Sequence, residues 1–155
     1  MSTPTLNEAA PAFDLPATSD QTISLSGLKG NKVVLYFYPR DATPGCTTES
    51  QNFRDAIEGF TKAGAVILGI SQDSVQSHEK FKAKQAMPFE LLSDEAGDVC
   101  RAYDVIRLKK MYGKEFEGIE RSTFIIDEKG VLRAQWRKVK VPGHVDEVLS
   151  AVQAL

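Results

Sequence analysis

Val33-Val34-Leu35-Tyr36-Phe37-Tyr38 is the stretch that decides the fold. Six consecutive apolar residues, rich in β-branched and aromatic side chains, predict a strand buried on both faces, because a half-exposed strand would alternate. Pro39 stops the run. Downstream, Ala65-Val66-Ile67-Leu68-Gly69-Ile70 reads as a second such strand, and Phe89 to Leu92 as a shorter third. Between these strands Phe53, Ala56, Ile57 and Phe60 mark one helical stripe that ends at Gly64. Val75 to Gln85 reads as a helix behind a cap in Ser71-Gln72-Asp73-Ser74, and Asp94 is placed to cap another running to about Tyr103. Thr123 to Ile126 and Val131 to Trp136 flank the turn Asp127-Glu128-Lys129-Gly130, a hairpin pattern. Val145, Val148, Leu149 and Val152 give a closing helix. Upstream, Thr22 to Leu25 alternates as a short strand. The first dozen residues, polar and carrying Pro4 and Pro11, read as an arm laid over the surface. The order predicts one α/β domain over residues 1–155. Its central mixed sheet begins parallel and ends antiparallel, with helices on both faces.

Composition narrows the function. With 19 basic and 21 acidic residues the formal net charge is −2, so no strong field favours nucleic acid or a membrane surface. The basic residues from Arg133 to Lys140 alternate with Ala134, Trp136 and Val139 and read as the solvated face of a strand. No run approaches the roughly 18 apolar residues of a spanning helix. The N-terminus lacks the basic start and apolar stretch of a secretory signal, and a cytoplasmic address is expected. Two cysteines in 155 residues are too few for a disulfide framework, so each thiol needs its own explanation.

Cys46 stands in the segment Tyr38-Pro39-Arg40-Asp41-Ala42-Thr43-Pro44-Gly45-Cys46-Thr47-Thr48-Glu49, where a buried strand hands over to a helix. Thr43-Pro44-Gly45 begins the turn and puts Cys46 in the first helical turn. There unpaired backbone N–H groups and the helix dipole favour a thiolate. Ionisation alone is a modest gain: a free thiol of pKa ~8.5 is about 3% ionised at neutral pH, so complete ionisation adds at most about thirtyfold. A fast reaction also needs donors that stabilise charge on a departing atom. Thr43, three residues back across the turn, is one candidate. Arg121, just before the strand Thr123 to Ile126, is another; a guanidinium about 4 Å from the sulfur contributes roughly 4 kcal/mol at an effective dielectric near 20, before desolvation.

The spacing Pro39-x-x-x-Thr43-x-x-Cys46 resembles the active-site signature of peroxiredoxins. The wider Phe37-Tyr38-Pro39-x-Asp41-x-Thr43-Pro44-Gly45-Cys46-Thr47-x-Glu49 is similar to the bacterioferritin-comigratory, or peroxiredoxin Q, branch. Gly118-Ile119-Glu120-Arg121-Ser122-Thr123-Phe124 resembles the second motif of that branch. The likeness runs from Ala12 to about Leu149, and the element order also matches a thioredoxin-like fold with an N-terminal extension. The resemblance implies that Cys46 attacks hydroperoxides and becomes a sulfenic acid. It implies that Thr43 hydrogen-bonds the peroxide, Arg121 stabilises the thiolate and the developing charge, and Pro39 closes the pocket. Glu49 would hold Arg121 or a neighbouring basic group in place, and Gly45 belongs to the supporting turn. The branch is often monomeric.

Two departures matter. Where many members of the branch carry a resolving cysteine, this chain has Gln51; where others carry it, it has Lys82. Cys100 is left, in a short apolar-faced segment where a core role is the ordinary reading; the alternative is a disulfide with Cys46, which needs the two Cα atoms within about 7 Å. A one-cysteine cycle is therefore expected, with thioredoxin, glutaredoxin and glutathione, or another small dithiol as reductant. Neither a cofactor nor a metal is expected: nucleotide-binding glycine patterns are absent, and His78 and His144 lack ligand spacing and read as surface or capping residues. Three rival functions stay open. A thiol–disulfide oxidoreductase lacks its Cys-x-x-Cys, a redox sensor would not turn over, and a hydrolase would need His144 as base.

Overall fold

The computed structural model describes residues 4–155. The run from Val33 to Tyr38 is at most 1% exposed at every residue, as its composition demands. It forms β3 (Lys32–Phe37), which pairs in parallel with β4 (Ala65–Ser71) and antiparallel with β8 (Ser122–Ile126). Beyond β4 lies β5 (Glu90–Ser93), again parallel, and beyond β8 lies β9 (Leu132–Trp136), antiparallel. Two strands of the N-terminal extension, β1 (Asp14–Ala17) and β2 (Gln21–Ser24), complete a seven-stranded sheet in the order β2-β1-β5-β4-β3-β8-β9. The arm before β1 lies against the β8–β9 turn, where the N–H of Asn7 donates to the Leu132 carbonyl at 2.7 Å.

Alternation along β3 sorts the core. Val34, Tyr36 and Tyr38 face a cluster that takes in Phe53 of α1 (Pro44–Asp55), Phe60 of α2 (Ile57–Lys62), Phe81 of α3 (Val75–Gln85) and Val148 of α5 (His144–Gln153). Val33, Leu35 and Phe37 face the other cluster, which takes in the N-terminal extension and α4 (Asp98–Ala102). Helices thus cover both faces, but four of the five pack on one. Gly69 of β4 has a packing reason: a Cβ there would stand 2.8 Å from the Tyr36 ring.

Three details depart from the sequence reading. The stripe from Phe53 to Phe60 is split, because Ala56 leaves helical geometry at φ −98° and ψ 6°, although both rings still meet with centroids 5.8 Å apart. The helix expected behind Asp94 shrinks to the five residues of α4. A hairpin that the sequence did not reveal joins β6 (Ile106–Met111) to β7 (Lys114–Ile119) through Tyr112 and Gly113, both at positive φ. Among the described residues no helix is long and apolar enough to cross a membrane.

Candidate active site

The site is assembled by the end of β3, the loop Tyr38 to Thr43, the first turns of α1 and the start of β8. Helix α1 begins at Pro44, whose missing N–H costs nothing in a first turn, with Thr43 as its N-cap. Cys46 therefore lies in the first turn, 1% exposed. Glu49 follows one turn later on the same helix face and is fully buried. The antiparallel register puts Ser122 opposite Phe37, which carries Arg121 to the mouth of α1. Its Nη2 donates to Cys46 Sγ at 3.2 Å and its Nη1 to Glu49 Oε1 at 2.7 Å. One guanidinium bridges a sulfur and a carboxylate. Gly45 makes room for it: a Cβ there would stand 3.1 Å from Nη2.

Charge at this centre is finely divided. Burial pushes the Glu49 carboxyl up to about 7, against the pull of Arg121. Burial also works against the guanidinium charge, but Glu49 and Cys46 outweigh it and raise the Arg121 pKa. Glu49 Oε2, buried, has no hydrogen-bond partner. The carboxylate and the sulfur thus share one cation, and burial opposes ionisation of the carboxylate. Lys109 on β6 is a further cation that the sequence did not single out. Its Nζ donates to the Ile119 carbonyl at 2.6 Å, and its pKa is lowered by burial and by Arg121 while Cys46 opposes the shift.

The Thr43 hydroxyl donates to the Arg40 carbonyl at 2.9 Å, not to the sulfur, so its lone pairs are left to accept a hydrogen bond. Pro39 lies on the exposed rim of the same loop. Gln51 and Lys82 are polar ties rather than thiols. Gln51 Nε2 donates to Gln85 Oε1 at 2.8 Å, stitching α1 to α3, and Lys82 pairs with Glu90 of β5. Cys100 packs in the cluster on the opposite face of the sheet from Cys46. Its N–H donates to Asp94 Oδ2 at 2.7 Å, and burial, then Asp94, push its thiol well above the ordinary range.

Both histidines are buried, correcting the surface or capping roles expected for them. His78 is fully buried on α3: Nδ1 lies 2.7 Å from Asp41 Oδ2 and Nε2 2.9 Å from the Leu92 carbonyl. One donor atom each from Asp41, Asp73 and His78 lies within 4.8 Å of the others, a grouping that could hold a cation. Yet the carboxylates are already engaged by Tyr38, Ser71 and Ser77 hydroxyls and by the Asp41 N–H, which makes the group a hydrogen-bonded buttress. His144 pairs through Nε2 with Thr123 Oγ1 at 2.8 Å, edge-on to Trp136 and Phe53, and burial lowers its pKa. Sequence separation hid both contacts.

Comparison with known proteins agrees with the geometry. The AhpC/TSA family matches residues 6–135. A putative peroxiredoxin bcp of Coxiella burnetii is 54% identical over 144 residues, covering 93% of this chain and 95% of that protein. A solved structure of Xylella fastidiosa PrxQ, a cysteine-to-serine mutant, superposes with a TM-score of 0.93 at 40% identity, covering 99% of this chain and 98% of that one. Another, of Xanthomonas campestris bacterioferritin comigratory protein and concerned with its alkyl peroxide reduction activity, gives a TM-score of 0.88 at 49% identity over 92% of this chain and 90% of that one. The fold is thioredoxin-like, and the chain belongs to the AhpC/TSA family, in its bacterioferritin-comigratory or peroxiredoxin Q branch.

Proposed function

We propose that this peroxiredoxin reduces hydrogen peroxide and organic hydroperoxides to water and alcohols through Cys46. The observation that carries the reading is the Arg121 guanidinium, 3.2 Å from Cys46 Sγ and anchored on buried Glu49. The Cys46 thiolate attacks the terminal peroxide oxygen, an S–O bond forms and the O–O bond breaks. Sulfur is oxidised by two electrons to the sulfenic acid, and the departing alkoxide or hydroxide leaves with a proton from solvent. Arg121 faces the charge as it moves from sulfur to oxygen, where a fixed donor stabilises it best. Thr43, its own proton committed to Arg40, accepts from the peroxide O–H, and Pro39 and Gly45 shape the loop and turn around it.

Recycling follows a one-cysteine route. An external thiol condenses with the sulfenic acid, releasing water, and a second thiol resolves the mixed disulfide. Gln51 and Lys82 have no sulfur to offer, and the sheet lies between Cys46 and Cys100, which supports an outside reductant such as thioredoxin or glutaredoxin with glutathione. Cys46, Thr43, Glu49 and Arg121 all come from one chain, which supports a monomer. Free thiols suit a reducing compartment such as the cytoplasm. The test is peroxide consumption with thioredoxin, then with glutaredoxin and glutathione, by wild type, Cys46→Ser and Cys100→Ser. Turnover by wild type and Cys100→Ser but not by Cys46→Ser is expected. A single oxidation that no thiol reverses would sink the peroxidase reading in favour of a sensor.

A further inference from the structure

The buttress of Asp41, Asp73 and His78 lies behind the loop that carries Thr43, and its connection to Thr43 runs through one peptide group. The N–H of Asp41 donates to Asp73 Oδ2 at 2.9 Å, while the carbonyl of the same peptide, that of Arg40, accepts the Thr43 hydroxyl at 2.9 Å. A trans peptide is planar and points its N–H and C=O in opposite directions, so holding one end aims the other. The N–H end is held by a charged acceptor, the stronger kind of hydrogen bond. That acceptor is itself fixed, since Ser71 Oγ donates to Asp73 Oδ2 at 2.5 Å and Ser93 Oγ to the Asp73 carbonyl at 2.6 Å. The Asp41 side chain is pinned as well. Oδ1 accepts from Tyr38 at 2.6 Å, and Oδ2 from Ser77 at 2.8 Å beside His78. Ala42, next in the chain, is forced to φ 64°, a conformation that a residue with a side chain adopts only when its surroundings hold it there.

We infer that Asp73, acting through the Arg40–Asp41 peptide and backed by the Asp41–His78 pair, is a positioning residue that sets Thr43 as a peroxide acceptor. A hydroxyl has one proton and two lone pairs. With the proton committed to the Arg40 carbonyl, Thr43 has only lone pairs to present, which suits the O–H of a hydroperoxide. If the peptide rotated, the hydroxyl proton would be released, and Thr43 could donate to any acceptor in the pocket instead of only accepting from the O–H of a hydroperoxide. Asp73 touches none of the reacting atoms. The inference rests on the reading of Thr43 given above, and the test separates the two.

The experiment is the second-order rate of Cys46 oxidation by hydrogen peroxide, followed by rapid mixing, in Thr43→Val, Asp73→Ala, Asp73→Asn and the double variant Thr43→Val/Asp73→Ala. Iodoacetamide alkylation of Cys46, which needs the sulfur but not Thr43, is measured alongside. Thr43→Val should slow peroxide oxidation about a hundredfold and Asp73→Ala about tenfold. Two groups acting as one unit are non-additive, so the double variant should be no slower than Thr43→Val, within about twofold. Asp73→Asn keeps an acceptor and should stay within about threefold of wild type, and alkylation should change less than about threefold throughout. Multiplying penalties in the double variant, an Asp73→Ala variant as fast as wild type, or alkylation falling in parallel with oxidation would each overturn the inference. A Thr43→Val variant at full speed would instead remove the assignment of Thr43 itself. Should Asp73→Ala not fold, Ser71→Ala removes one donor from Asp73 Oδ2 and reads the same non-additivity on a smaller scale, with additive penalties again overturning the inference.

Discussion

Cys46 and Cys100 are equally hidden, at 1% and 0% exposure, yet their surroundings are opposite. Cys46 sits in the first turn of a twelve-residue helix with a guanidinium 3.2 Å from the sulfur. Cys100 sits in a five-residue helix on the other face of the sheet, beside the Asp94 carboxylate that accepts its N–H. Burial by itself raises the cost of a thiolate at both places. What differs is the charge at hand: a cation faces one sulfur and an anion the other. Depth in the core therefore does not separate the thiol proposed as nucleophile from the other, whereas the sign of the nearest charged group does.

The comparison breaks first at the sulfur itself. Cys46→Ser should lower peroxide reduction by more than about a thousandfold in a stopped-flow assay, since an alcohol is not a thiolate at neutral pH. If Cys100→Ser did the same, the contrast would be wrong. Next comes the cation. Arg121→Lys should cost on the order of a hundredfold in the second-order rate, because an ammonium cannot span sulfur and carboxylate as the planar fork does. An unchanged rate would mean that any positive charge suffices.

The carboxylate end sharpens the comparison through stability. The folded-state pKa of Glu49 is raised from 4.5 to about 7, so folding favours its protonated form. Its contribution is therefore fully present below about 4.5 and is lost as pH rises through about 7, a change of about 3 kcal/mol at most. Urea denaturation in steps from pH 4.5 to 7.5 should show that decline in wild type and a flatter profile in Glu49→Gln; equal slopes would mean that Glu49 is ionised throughout. Gly45→Ala should act more gently, slowing oxidation of Cys46 by about three- to tenfold as the new methyl displaces Arg121 by a few tenths of an ångström. Smallest is Cys100→Ser, expected to keep peroxide reduction within about twofold and to cost about 1 kcal/mol of stability. Mass spectrometry of wild type after one equivalent of peroxide should find the sulfenic acid or its thiol adduct at Cys46, and a Cys46–Cys100 disulfide would undo the comparison.

Much of the scaffold was legible along the chain. The β3 and β4 runs, the β8–β9 turn and helix α3 lie within a residue or two of their expected positions, because continuous apolar runs, turn residues and caps act over a few neighbouring residues. The β6–β7 hairpin was not legible. Its strands carry charged and exposed side chains on both faces, so no alternation marks them, and its turn uses Tyr112-Gly113 rather than the usual Asn-Gly or Asp-Gly pair. Residue types, spacing and the family resemblance pointed to Cys46, Thr43 and Arg121, while Lys109 was passed over, Asp73 was read only as part of a helix cap, and both buried histidines were misread as surface or capping residues.

From the sequence came most of the order of elements, though neither β1 nor the β6–β7 hairpin, a cysteine at a helix start and, through the family motif, the want of a resolving cysteine at Gln51 and Lys82. Each of these depends on residues close together in the chain. Tertiary structure alone decided that Arg121 reaches Cys46 across 75 residues, that Cys100 lies beyond the sheet, and that Asp73 aims a peptide at Thr43. Those are contacts set by strand register and packing, which bring together groups whose separation along the chain carries no trace of their distance in space.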